Sequence, residues 1–140
     1  MIEVNYIAVL LAAVVSMAIG FAWYSTALFG KPWMKLMGYT EKSMKESSKG
    51  MEKMYALSFV LALLTAYVLS HVMTFSENFF GYSAVQTGLT SGFWMWVGFV
   101  APVQASDVIF GGKKWKLFWI NTGFQLVSLL GMGLTLGLMQ

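Results

Sequence analysis

The chain has 140 residues, 58% of them apolar and 11% charged, with a mean hydropathy of +0.67 and a formal net charge of +3. A soluble domain of this length does not carry so little charge, so composition alone places the protein in a membrane. All nine basic residues are lysines and none falls on a polar face that could follow a phosphate backbone, which argues against nucleic acid as a partner. With no cysteine, disulfides, thiolate metal sites and a thiol nucleophile are all excluded, and His71 is the single imidazole.

Four stretches have the length to cross a bilayer, which takes roughly 20 apolar residues in a helix. They cover about residues 4–29, 54–75, 84–103 and 117–139, and they predict an all-α, single-domain integral membrane bundle of four transmembrane helices. The first stretch lacks the basic start of a signal peptide, is too long for one, and runs into Phe21, Trp23 and Tyr24, so it reads as a mature helix. Along it Ala8, Ala12, Ser16 and Gly20 recur every four residues. Such a row lets two helices approach closely where lipid gives no hydrophobic drive to associate.

The segment 30–53 carries six lysines. Pro32 suits the first turn of a helix, Trp33, Leu36 and Met37 follow at helical spacing, and Gly38 would end it, which describes a short helix lying in the interface. Thr40 can cap a further turn toward Ser48. The segment is read either as a lysine-rich anchor on anionic lipid or, more plainly, as a loop that sets topology.

His71 lies in the last turns of the second stretch, and the third opens a second small-residue row, Ala84, Gly88 and Gly92. Pro102 predicts that the third helix bends or unwinds at its end, with a loop over 104–116. Lys113, Lys114 and Lys116 lie just before the fourth stretch, with Trp115 and Trp119 at the interface, and the stretch carries a third row at Gly133 and Gly137. Three independent rows in four helices lead us to expect a homo-oligomer as well as internal packing.

Orientation follows from the lysines, because short Lys-rich loops stay on the cytoplasmic side. Both clusters then lie inside, and both termini lie outside a cell inner (plasma) membrane. The outer segments hold only Glu3 and Glu77 as charges.

Polar residues in the spans gather at two depths. Tyr24, Gln104, Asp107, Asn121 and Gln125 form an inner group, readable as a pocket open to the cytoplasm or as hydrogen bonds that fix helix register. Asn5, His71 and Gln86, with Glu3 and Glu77 nearby, form an outer group. There His71 reads as a pH-responsive group or, more plainly, as an interfacial or capping residue. No serine has a base at matching depth, no carboxylate lies within a span, and too few ligands accompany His71 for a metal. We therefore expect no enzyme, metal, cofactor or proton-coupled export.

Leu28-Phe29-Gly30-Lys31-Pro32-Trp33 after the first stretch and Ile109-Phe110-Gly111-Gly112-Lys113-Lys114-Trp115 after the third suggest two helical hairpins in parallel repeat. Leu28-Phe29-Gly30-Lys31-x-Trp33 and Phe110-Gly111, with Asn5, Gly20, Trp23-Tyr24 and Leu117-Phe118-x-Ile120-Asn121-x-Gly123, resemble a family of small, mostly bacterial four-helix membrane proteins grouped as domain of unknown function 1761. The resemblance spans almost the whole chain and implies a membrane domain with no activity, substrate or cofactor to carry across. Two functions fit the sequence: permeation of a small solute through an oligomer, with some small molecule or lipid as ligand, or a non-transporting scaffold or accessory subunit in the bilayer.

Overall fold

The computed structural model describes residues 2–140. Seven α-helices form it: α1 (Tyr6–Trp23), α2 (Gly30–Met37), α3 (Glu41–Glu46), α4 (Met51–Phe80), α5 (Ala84–Met95), α6 (Ala101–Gly111) and α7 (Trp115–Leu138). A π-helical turn, Trp96–Val100, joins α5 to α6, so that Ala84–Gly111 is one continuous helical rod. With α1, α4 and α7 it makes four segments long and apolar enough to cross a membrane. The protein is an all-α integral membrane bundle.

Local chemistry accounts for most helix ends. Asn5 caps α1 by accepting from the Ala8 amide, and Thr40 with Ser43, and Ser83 with Gln86, form reciprocal capping boxes at the starts of α3 and α5. Gly38 ends α2 at φ 76°, a left-handed conformation that costs glycine little.

Three boundaries differ from the sequence expectation. The first helix stops at Trp23 rather than near 29, because the Ser25 hydroxyl and amide both turn back to the Ala22 carbonyl and the Phe29 amide returns to the Trp23 carbonyl. Gly30 closes this turn against the carbonyls of Tyr24 and Ser25, a space that no Cβ could share. The second helix runs past 75 to Phe80, which brings Glu77 and Asn78 onto its last turns.

The third helix does not break at Pro102 and does not end at 103. Ala101 donates its amide five residues back to Trp96, and the widened turn accommodates the proline ring and its missing N–H. Helix therefore continues to Gly111, and the expected loop 104–116 shrinks to the three residues before Trp115. The two Phe-Gly-Lys-Trp segments differ accordingly: the first opens the separate helix α2, and the second leads straight into α7.

The long helices form a ring in which α1 touches α4 and α7, and α5 touches α4 and α7. Its small-residue rows face inward. Ala8, Ala12 and Ser16 are buried on α1, while Gly20 lies against the ring of Phe124. Between α5 and α7 the approach is backbone on backbone: a Cβ on Gly88 would overlap the Gly133 carbonyl and the reverse, one on Gly92 would lie 2.8 Å from the Leu129 carbonyl, and one on Gly137 2.6 Å from the Ala84 carbonyl. All three rows expected from sequence are thus occupied within one chain.

Candidate functional site

The lysine-rich end of the bundle is held by a set of aromatic and amide contacts on α7. The Tyr24 hydroxyl donates to Asn121 Oδ1 at 2.8 Å, and the Trp23 indole donates to the Ile120 carbonyl at 2.9 Å. Gly123 leaves the room that the Trp23 ring fills, its would-be Cβ lying 3.0 Å from that ring. From the other side, the Trp96 indole donates to the Thr122 carbonyl at 2.7 Å. Trp33 packs edge-on against Tyr24, and Phe29 against Trp23. Of the residues on which the family resemblance rests, Trp23, Tyr24, Phe29, Trp33, Ile120, Asn121 and Gly123 meet here.

The inner polar group is only partly assembled. Tyr24 and Asn121 are joined, and Gln125 lies half-buried one turn along α7. Gln104 and Asp107 lie on α6, and no side-chain hydrogen bond links them to Tyr24 or Asn121. Asp107 instead meets Lys113 at 3.5 Å on the exposed surface. Gln104 and Asp107 thus stand apart from the bonded pair of Tyr24 and Asn121.

The middle of the bundle is closed. Ala12, Ala13, Ala66, Leu69, Met73, Leu129, Met132 and Leu136 form one buried cluster, none more than 5% exposed. In this layer Ser16 and Ser128 face each other with their hydroxyls 2.6 Å apart, so each satisfies the other.

At the lysine-poor end a cavity of about 610 Å³ opens between the start of α1 and the ends of α4 and α7. Ser70, Thr74, Glu77 and Asn78 line one wall from successive turns of α4, and Glu3, Asn5 and Gln140 line the other. Asn5 builds that wall: besides capping α1, its amide nitrogen donates to the Met139 carbonyl at 3.1 Å and ties the two ends of the chain together. Of the three residues expected here, Asn5 is in place, whereas His71 and Gln86 are elsewhere. His71 Nδ1 lies 2.9 Å from the Tyr67 carbonyl one turn back, and Gln86 is committed to the Ser83 cap. Sequence reasoning passed over Ser70, Thr74, Asn78 and Gln140, although polar residues at 70, 74, 77 and 78 form a helical stripe that could have been read.

A second cleft, of about 260 Å³ and lined mainly by apolar side chains, lies between α4 and the π-helical turn, bounded by Leu64, Val68, Met95, Phe99, Val100 and Leu129. Among the described residues no group of three or more His, Asp or Glu could hold a metal ion.

A family model described as "Protein of unknown function (DUF1761)" matches residues 7–137. No curated protein and no solved structure matches the chain.

Proposed function

The chain belongs to the DUF1761 family, proteins of unknown function, and on that premise we propose that it serves as a non-transporting membrane subunit, a fixed four-helix scaffold or accessory chain. The closed midsection carries this reading. A solute entering from the lysine-poor cavity would meet Leu69, Leu129 and Met132, and the few buried hydroxyls near them, Ser16 bonded to Ser128 and the sealed Ser91, could not replace its water. The inner polar residues that would form a vestibule are instead spent on register, chiefly through Tyr24 and Asn121.

In this reading the lysine-rich end faces the cytoplasm of a cell whose plasma membrane the protein spans, and both termini lie outside. The small-residue rows are occupied internally, so a second copy or a different subunit would use the broad exposed faces: Leu57, Val60, Leu61 and Leu64 on α4, or Phe99, Val103 and Ile109 along the third rod. No catalytic step is assigned to it. Solute permeation is a second reading, favoured by the polar cavity, and it requires a rearrangement that opens the midsection.

Reconstitution into sealed vesicles separates the two. The scaffold reading expects leakage of loaded sugars, amino acids and monovalent cations no faster than from protein-free vesicles. A saturable, protein-dependent flux would refute it.

A further inference from the structure

We propose that the cavity at the lysine-poor end binds a primary ammonium group of the ethanolamine type, either on a free amine or on a lipid headgroup. This goes beyond the scaffold reading and does not depend on it.

Among the described residues the cavity wall is rich in acceptors and carries no cationic side chain: Glu3 and Glu77 bring two carboxylates, Asn78 and Gln140 bring amide carbonyls, and every lysine lies at 31–53 or 113–116. The last turn of α4, with its unpaired carbonyls, adds negative potential on the same side.

Ser70 supplies an independent indication of a ligand. Its residue is 94% buried, at 6% exposed, and it lines the cavity, yet its hydroxyl makes no hydrogen bond to any described residue. The hydroxyls of Thr87 and Ser91 are sealed without a partner, whereas Ser70 lines the cavity. Thr74, one turn above, gives its own hydroxyl to the Ser70 carbonyl and so does not quench it. A hydroxyl with no partner among the described residues therefore lies about 10 Å along α4 below Glu77, and adds a deep acceptor to the carboxylates at the mouth for an ammonium that enters first.

The lining also discriminates among cations. A bare metal ion would need more carboxylate or imidazole ligands than two glutamates offer. A quaternary ammonium is held by aromatic faces, and none of the lining residues is aromatic. A primary ammonium has three N–H donors to give, which matches carboxylates and amide carbonyls. Ala8, Ile2 and Leu136 can receive a short methylene chain.

The test uses the full chain in phosphatidylcholine nanodiscs, titrated with ethanolamine and with choline, which differ in N-methylation. Calorimetry should show ethanolamine binding that is at least tenfold weaker for choline, at least tenfold weaker in Glu77→Gln, and several-fold weaker in Ser70→Ala. Native mass spectrometry from mixed vesicles supplies the lipid arm. Retention of phosphatidylethanolamine above its bulk share, with free ethanolamine binding suppressed in discs made of that lipid, identifies the headgroup as the source. Ethanolamine binding without such retention identifies the free amine. The proposal is overturned if neither is bound, if choline binds equally, or if Glu77→Gln binds as well as the parent while unfolding at the same temperature.

Discussion

The hydroxyl of Tyr24 and the side-chain oxygen of Asn121, 97 positions apart in the chain, meet at 2.8 Å and fasten the end of α1 to α7. Hydrogen bonds between membrane helices contribute about 0.6 kcal/mol on average and up to about 1.7 kcal/mol. Tyr24→Phe and Asn121→Leu should each lower stability by about 1 kcal/mol, and the double variant should cost less than their sum. Reversible unfolding in mixed micelles measures the coupling. Strict additivity would mean that the bond contributes nothing.

The contact between α5 and α7 leaves no room for a methyl group at its centre. Gly88→Ala or Gly133→Ala pushes a Cβ into a facing backbone carbonyl, and neither helix can yield without separating the glycine row. Each is expected to destabilise by on the order of 3 kcal/mol or more, through overpacking against rigid backbone. Gly98→Ala, whose Cβ would meet nothing within 4 Å, is the control and should be neutral or slightly stabilising. Detergent thermal-stability curves for the three variants decide it.

Ser16 and Ser128 show the asymmetry of buried hydrogen bonds. Ser16→Ala alone strands the Ser128 hydroxyl in the closed midsection and should cost about 1 to 2 kcal/mol, whereas Ser16→Ala with Ser128→Ala removes both and should return toward the parent. If the double variant is the less stable one, the pair does more than satisfy itself.

Pro102 explains the π-helical turn, so replacing it should remove the turn. In Pro102→Ala the restored N–H allows ordinary α-helical pairing, and loss of the wide turn rotates α6 by about 100° relative to α5. A cysteine at Gln104 should then change its labelling rate with a water-soluble maleimide several-fold, an assay made simple by a chain that has no cysteine of its own. An unchanged rate would place the cause of the turn elsewhere.

Much of the architecture is legible in the sequence because it is written in local terms. Apolar runs mark the spans, Pro32 and Gly38 bracket α2, Thr40 announces a cap, and repeats of four mark the faces that meet. What is not legible depends on tertiary direction. Ser25 and Thr26 are a weak signal of a helix end inside an apolar run, because a serine there can equally continue the helix; what makes it a stop is the return of Ser25 to Ala22 and the fit of Gly30 against Tyr24. Pro102 reads as a break, yet a wider turn absorbs it. Spacing from the span ends groups Gln104 and Asp107 with Tyr24, but which side chains meet is a tertiary matter: Tyr24 bonds Asn121, and Asp107 meets Lys113 at the surface. The cavity at Ser70, Thr74 and Glu77 lies between: its helical stripe was available, but its opposite wall comes from residues at the two ends of the chain.

The closed midsection is the central claim, and its most direct test is the solvent reach of single cysteines placed in it. Ala66→Cys, Ser128→Cys and Leu129→Cys, each in the otherwise cysteine-free chain in sealed vesicles, are exposed from either side to a small cationic thiosulfonate, with Asn78→Cys in the cavity at the lysine-poor end as reference. A closed bundle predicts rapid modification at 78 and none at 66, 128 or 129. Modification at those three positions at a rate comparable to 78 would reveal a water-filled path through the centre and contradict the account.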